Sequence, residues 1–296
     1  MKRGYNKIKY VMFIGASGLL FLFNACKKEF TSAIPGDKES ISLNFYAASD
    51  VLKTIGKGVV PVFIDKYEPN RVINSFNSPY PFFDYDVQGQ KLDYPYIFGT
   101  HSGLYYARFD AGSHHYMFTD TTRCIVVDTT LMLPAKTYTC FYLTDAAVAD
   151  NSPAKYIVKA VNELRSVPDG KVGVRFVHMS ADAGDLTCSF QKADGSLVNS
   201  LPETLKFGEA SAYQYYDAND VSANKLLLFS LNNTNTGATI LTGVSFNPGR
   251  SYIIVISGFL RDQMRQIPTV KNPDGSFSYV SATIGKNLRA EIRTSY

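Results

Sequence analysis

Blocks of similar sequence occur twice in this chain, in the same order, and this repetition limits the fold more than any other feature. The segment VRFVHMSADA at 174–183 has a counterpart in LNFYAASD at 43–50. Likewise, YIFGTHSGLYY at 96–106 matches LKFGEASAYQY at 205–215, and LPAKTYTCFY at 133–142 matches NPGRSYIIVI at 247–256. Because three blocks recur in one order, we expect a single folding unit that is built twice.

Short apolar runs separated by turn residues predict β-strands in both copies. In the run 170–184, residues 172, 174, 176 and 178 would lie on one face of a strand, and the residues between them on the other. Such runs return every eight to twelve residues, and long helical periodicity is nearly absent. We therefore expect an all-β protein with two tandem immunoglobulin-like β-sandwich domains, at 40–167 and 168–296.

The N-terminal segment 1–25 has the pattern of a lipoprotein signal peptide. A basic stretch precedes the apolar run 11–23, which is too short to cross the roughly 30 Å hydrocarbon core of a bilayer. The run ends in FNAC at 23–26, which resembles the lipobox of bacterial lipoproteins, in a loose form typical of Bacteroidetes-type bacteria. Cys26 would then carry the lipid, and residues 26–39 would form a flexible tether. The alternative is an ordinary secretory signal with an incidental cysteine.

Removal of this segment changes the charge of the protein. The formal charge of +4 comes from 30 basic and 26 acidic residues, and segment 1–25 holds four basic residues and no acidic one. The mature chain is therefore neutral, so nucleic-acid binding has no electrostatic basis. We expect the mature protein to be exported and held by its lipid at the cell envelope, at the periplasmic or outer surface of the outer membrane.

Three blocks of the second copy resemble the domain-of-unknown-function family 4397. They are VRFVHMSADA at 174–183, FGEASAY at 207–213 and PGRSYIIVISG at 248–258, and the first copy follows them more loosely, with Leu43 and Asn44 in place of the Val-Arg pair. The resemblance implies a β-sandwich fold and an exported location, and it implies no catalytic residue.

The first copy has a long insertion between its second strand and its Phe-Gly block, at 64–98. Aromatic side chains on loops supply contact area at low entropic cost, so this segment is a candidate contact loop for a ligand. The alternative is that the aromatic residues cover an open end of the sandwich or pack between the domains. The candidate contact residues are Tyr67, Tyr80, Phe82, Phe83 and Tyr85.

Three cysteines remain beyond Cys26, which leaves one without a partner if two of them form a disulfide. Cys124 and Cys140 fall on neighbouring expected strands and could form a bridge, and two buried free thiols are the alternative. Cys188 fits a small buried side chain.

No pattern in the sequence points to catalysis or to a cofactor. His114 and His115 are adjacent on an expected strand, so they would point to opposite faces and could not chelate one metal ion together. Zinc-protease, P-loop and dinucleotide-binding motifs are missing. We therefore expect a non-enzymatic protein without metal or cofactor. Its function would be that of a binding or adhesion module for a glycan, a peptide or an envelope protein, or alternatively that of a structural spacer in an envelope assembly.

Overall fold

The computed structural model describes residues 40–55, 60–67, 82–85, 91–92, 106–120, 124–163, 166–201, 203–222, 225–230 and 238–295. In these ranges the chain forms β-strands and two short helices. The strands are β1 Ser40–Ala47, β2 Val60–Ile64, β3 Phe82–Tyr85, β4 Lys91–Leu92, β5 Ala107–Asp110, β6 Gly112–Thr119, β7 Ile125–Leu133, β8 Tyr138–Asp145, β9 Ser152–Pro153, β10 Tyr156–Asn162, β11 Lys171–His178, β12 Leu186–Gln191, β13 Leu197–Asn199, β14 Gln214–Asp217, β15 Lys225–Ser230, β16 Ala238–Thr242, β17 Ser251–Ser257, β18 Gln263–Lys271, β19 Phe277–Ile284 and β20 Arg289–Thr294. The helices are α1 Asp50–Ile55 and α2 Ala218–Val221.

Each half of the chain forms a sandwich of two sheets. In the first half, an outer sheet with the order β4-β3-β2-β6-β7 faces an inner sheet with the order β10-β8-β1-β5. In the second half, an outer sheet β13-β12-β15-β16 faces an inner sheet β14-β11-β17-β20. The all-β class and the two tandem sandwiches are thus confirmed.

The two inner sheets repeat one pairing scheme. β1 lies parallel to β8 and antiparallel to β5, and β11 lies parallel to β17 and antiparallel to β14. Strand pairing therefore reproduces the repeat in the sequence.

Alternate residues of the inner strands pack into different cores. Leu43, Phe45 and Phe141 face the core of the first sandwich, whereas Val174 and Ile254 face the core of the second. The residues between them point away from both cores, as the period of two in a strand requires.

These outward-pointing residues form a third core between the two sandwiches. Its members come from both halves of the chain, and all are nearly inaccessible to water. They are Tyr46, Ala48, Cys140, Tyr142, Val177, Met179, Ile253 and Val255. The two inner sheets consequently pack against each other, and the described chain has four β-layers.

A three-stranded ribbon, with the order β19-β18-β9, joins the halves a second time. Its strand β9 comes from the first half and runs parallel to β18, with Ser152 opposite Arg265. Ile267 and Ile284 of the ribbon pack with Val51 of α1 and with Phe259 in a small fourth core.

Candidate functional site

A chain of hydrogen bonds between buried polar groups crosses the contact between the sandwiches. Arg293 of β20 is 5% exposed and donates to the Oδ1 of Asn44 at 2.7 Å, across the layers, while its guanidinium lies 4.3 Å from the centre of the Tyr46 ring. It also donates to the hydroxyl of Tyr142, which donates in turn to Glu163. Removal of any one of these groups would leave a buried partner unsatisfied, so the chain fixes the orientation of the two inner sheets.

Charged groups at α1 form a second link between the halves. Both carboxylate oxygens of Asp50 accept hydrogen bonds from Arg289 of β20, at 2.9 and 3.1 Å, and the side chain of Asp50 is 3% exposed. Asp145 of β8 accepts from the backbone N–H of Asp50 at 2.9 Å and from the hydroxyl of Ser49. Burial raises the pKa of Asp145 to about 6, although the hydrogen bond from Ser49 acts in the opposite direction.

A polar cleft of about 430 Å³ lies beyond the ends of β8 and β11. Its volume falls within the range of small-molecule sites, roughly 300–1,000 Å³. Loops of both halves line it, and each of these loops follows the end of an inner strand or leads into β18. The lining residues are Ala147, Val148, Asp150, Ala181, Asp182, Arg261, Asp262, Gln263 and Arg265.

Asp182 holds the two loops of the second half together at this cleft. Its Oδ1 accepts from the backbone N–H of Leu260 at 2.7 Å, and its Oδ2 accepts from the backbone N–H of Arg261 at 3.0 Å and from the side-chain amide of Gln263 at 3.0 Å. The loops meet because β11 and β17 are parallel neighbours, so their carboxyl ends lie at one edge of the sheet. Asp182, after β11, thus braces the loop that follows β17.

Asp150 brings the first half to the same cleft. Its Oδ1 accepts from the backbone N–H of Met264 at 2.6 Å and lies 3.8 Å from a guanidinium nitrogen of Arg265. The following residue, Asn151, has a φ of 56°, a left-handed conformation that asparagine tolerates better than most residues. The side chain of Arg265 is 3% exposed and donates to Gln263, so this wall of the cleft is held in place on several sides.

Arg261 is exposed, and unlike the other charged groups of the cleft its guanidinium has no hydrogen bond or ion pair within the described ranges. Asp262 is also exposed, and its Oδ1 accepts from the backbone N–H of Lys286 at 2.7 Å. The cleft therefore offers a cationic donor and carboxylate acceptors side by side. This combination suits ligands whose groups both donate and accept hydrogen bonds.

Acidic and histidine side chains elsewhere do not assemble into a metal site in the described residues. His114 and His115 have separate partners, with the Nδ1 of His114 2.7 Å from Asp65 and the Nε2 of His115 bonded to Asp128.

Only a part of the predicted contact loop lies in the described residues. Tyr67 is 38% exposed, and its ring contacts that of Phe63 edge to face at 5.2 Å. Phe82, Phe83 and Tyr85 belong to β3, whose backbone pairs with β2 and β4, so this stretch extends the outer sheet and is not a free loop. The side chains of β3 lie outside the described part, as do Tyr80 and Cys26, so the roles of these residues stay predictions.

The predicted bridge between Cys124 and Cys140 is wrong for this structure, in which both thiols are free, as is that of Cys188. β7 and β8 belong to opposite sheets of the first sandwich, and Cys140 points away from that sandwich into the third core. There its Sγ donates to the Oδ1 of Asn44 at 3.3 Å. The alternative of two free thiols describes the molecule, although only Cys140 is buried and Cys124 is half-buried.

His178, in the repeated block of the second copy, has a structural role. It is buried, its Nε2 donates to the carbonyl of Gly184 at 2.7 Å, and its Nδ1 accepts from the N–H of Ser180 at 3.3 Å. Burial lowers its pKa, which favours the neutral ring that this pattern of one donor and one acceptor requires.

The cleft itself was missed in the sequence. Its strongest signal is the polar stretch RDQMR at 261–265, directly after the apolar strand at 251–257, together with Asp182 after the equivalent apolar strand of the same copy. Recognition of the site requires the parallel pairing of β11 with β17, which neither stretch reveals.

Comparisons with known proteins do not identify a ligand for this cleft. No family model and no curated protein matches the sequence. Among solved structures, the chain is similar to the "Putative cell adhesion protein from Parabacteroides distasonis ATCC 8503", with 10% sequence identity and a TM-score of 0.19 over 87% of this chain and 98% of that one. Likeness at this level identifies no function. In the described residues, no helix has the length and apolar character needed to span a membrane.

Proposed function

We propose that this protein is a non-catalytic binding module, held at the cell envelope by a lipid on Cys26, and that the cleft between its two sandwiches takes a glycan. The observation that carries the proposal is the cleft, to which both halves contribute. The lipobox-like FNAC at 23–26 supports the anchor and hence an envelope location.

The mixture of charges in the cleft favours a neutral polar ligand. Three carboxylates and two guanidinium groups line it, so an ion of either sign would meet like charges there. Sugar hydroxyls donate and accept at the same atom, which matches Arg261 beside Asp262. A peptide backbone has donors and acceptors too, and it is the second ligand class that this cleft fits.

The braces around the cleft favour binding over catalysis. Asp150, Asp182 and Asp262 each accept a backbone N–H, so these carboxylates serve to position loops. A cleft with fixed walls binds its ligand at a smaller entropic cost, because few groups must be ordered on association. The two links at Arg293 and Arg289 join the two halves that supply the walls.

A glycan array of the purified protein, followed by calorimetric titration of the best ligand, tests the proposal. We expect Arg261→Ala to weaken binding about 10- to 100-fold, because a hydrogen bond from a charged group contributes about 1.5–3 kcal/mol. Arg250→Ala is the matched control: Arg250 is also exposed but precedes β17, at the opposite end of that strand from Arg261. Unchanged affinity of Arg261→Ala, or an array without any ligand, would refute the glycan assignment.

The alternative is a structural spacer without a ligand, and the continuous packing of four β-layers favours it. The aromatic insertion offers a way to separate the two functions. In a variant with Tyr80, Phe82, Phe83 and Tyr85 all changed to Ser, loss of ligand binding at an unchanged melting temperature supports a second contact surface. A large fall in melting temperature shows instead that these aromatic side chains are part of a core.

A further inference from the structure

The outer strand of the ribbon, β19, presents an unpaired backbone edge. Met264 and Gln266 of β18 accept backbone hydrogen bonds from Asn151 and Ala154, so they face β9. In an antiparallel pair, bonded and non-bonded residues alternate, which means that β18 bonds β19 through the residues between them. The β19 residues opposite Met264, Gln266 and Pro268 therefore direct their N–H and C=O groups outwards. They are Thr283, Ser281 and Tyr279.

No strand of the described chain pairs with this edge. No residue outside β18 has a hydrogen bond to the backbone of Tyr279, Ser281 or Thr283 in the described ranges. Tyr279 and Val280 are 49% and 50% exposed, although both are large apolar side chains. An open edge with exposed apolar residues favours pairing with a further strand.

The composition of β19 also sets it apart from the other long edges. From Gly275 to Gly285 the chain has no charged residue and no proline, and these are the usual devices that keep an edge from pairing. The other described edge strands of six residues or more are β7, β10 and β20, and each carries charge, for example at Asp128, Lys159 and Glu291. The absence of charge is thus specific to β19.

We propose that β19 is an interface for a second copy of this chain, which pairs antiparallel with it so that Ser281 of each copy lies on the twofold axis. The regular part of β19 runs from Tyr279 to Ile284, because its register with β18 shifts between Pro268 and Val270. Ser281 lies near the middle of this stretch, and the three outward-facing residues are symmetric about it.

The strand is complementary to itself in this arrangement. Ser281 pairs with Ser281 and Tyr279 pairs with Thr283, so the three pairs exchange six backbone hydrogen bonds. Tyrosine opposite threonine is a favourable aromatic and β-branched pair, and no like charges face each other. The two ribbons would join into one continuous sheet with an isologous interface, as twofold symmetry requires. This inference is independent of the cleft and of its ligand.

A cysteine on the proposed axis tests the register. Directly opposite, hydrogen-bonded residues have Cα atoms about 5.5 Å apart, which is within the range of a disulfide, roughly 4.4–6.8 Å. We expect Ser281→Cys in the full chain to form a covalent dimer under mild oxidation, seen on a non-reducing gel. Ser278→Cys is the matched control, because Ser278 is exposed on the same strand but its two copies would be about 20 Å apart. Wild-type protein controls for the native cysteines.

A charge on the axis tests the association itself. Ser281→Lys places two like charges opposite each other, and we expect at least a tenfold rise in the dimer dissociation constant in sedimentation experiments, at an unchanged melting temperature. Ser278→Lys should leave this constant within about twofold. A Ser281→Cys variant that stays monomeric, or that is oxidised to dimer no faster than Ser278→Cys, overturns the proposal, as does an unaltered dissociation constant for Ser281→Lys. Either result would leave β19 open for a strand of a different protein.

Discussion

The ion pair between Asp50 and Arg289 allows a quantitative test of how the two sandwiches are joined. Asp50 follows β1 in the first half, and Arg289 begins β20 in the second. Their ion pair therefore connects the two halves and does not stabilise either sandwich by itself. Arg289→Met removes both hydrogen bonds to Asp50 and keeps most of the aliphatic stem. The carboxylate of Asp50, which is 3% exposed, would then be left without this cation.

The structure sets the size of the expected effect. Removal of one partner from a buried ion pair costs about 3–5 kcal/mol of unfolding free energy, and the side chain of Arg289 is 25% exposed, which places the loss near the lower value, about 3 kcal/mol. For Asp50→Asn we expect a loss of about 2 kcal/mol, since Arg289 retains its hydrogen bond to Glu291 at 2.9 Å. The double variant should lose about 3 kcal/mol, less than the two single losses together.

Urea unfolding of the four proteins in this cycle measures the coupling, which we expect to be about 2 kcal/mol. Lys171→Met serves as the control, because Lys171 and Asp217 form an ion pair with side chains 41% and 62% exposed, and its loss should cost less than about 1 kcal/mol. Additive losses in the cycle to within about 0.5 kcal/mol, or a cost for Arg289→Met no larger than that of the control, would refute the reasoning.

Three further predictions concern separate features of the chain. Peptide mapping without reductant should recover Cys124 and Cys140 unlinked, and a linked peptide would contradict the structure. Burial raises the pKa of Asp145 to about 6, so its contribution to stability is present below the unfolded pKa of 3.8 and is lost as the pH rises to about 6. Between these two pH values the unfolding free energy of wild type should fall by about 3 kcal/mol relative to that of Asp145→Asn. Parallel pH profiles of the two proteins would show that Asp145 does not cause this dependence. Cys26→Ala should abolish incorporation of a labelled fatty acid in cells, whereas an equal label in both proteins would exclude Cys26 as the anchor.

The sequence predicted strands where hydrophobic pattern and turn residues agreed. The apolar runs predict strands at 41–47, 113–119, 136–143, 172–179 and 250–258. β1, β6, β8, β11 and β17 fall within one or two residues of these ranges, because each apolar run has clear limits. The sequence does not predict β18 at 263–271, since its polar and apolar residues follow a proline-containing pattern that is unusual for a strand. β18 can still be the central strand of the ribbon, because Pro268 is at a position that forms no backbone hydrogen bond with β19. The N–H that proline lacks is therefore not needed there.

The inner strands are nearly continuous apolar runs, and the sequence alone does not say what covers each of their two faces. Residues 252–256 are apolar throughout, a pattern typical of a strand that is buried on both faces. The sequence does not identify which surface covers the second face. The structure shows that it is the equivalent face of the other copy, through Val177 and Val255 against Tyr46 and Tyr142.

The sequence by itself determined the β class and the twofold repetition, because these follow from composition and from the period of the apolar residues. Tertiary structure alone decided how the copies meet. Parallel pairing of β11 with β17 brings Asp182 to Arg261, and the stacking of the inner sheets brings Asp150 to the same cleft. Register and sheet packing depend on contacts between residues far apart in the chain, so a local pattern cannot fix them. For this reason the cleft and the free edge of β19 emerge only from the folded molecule.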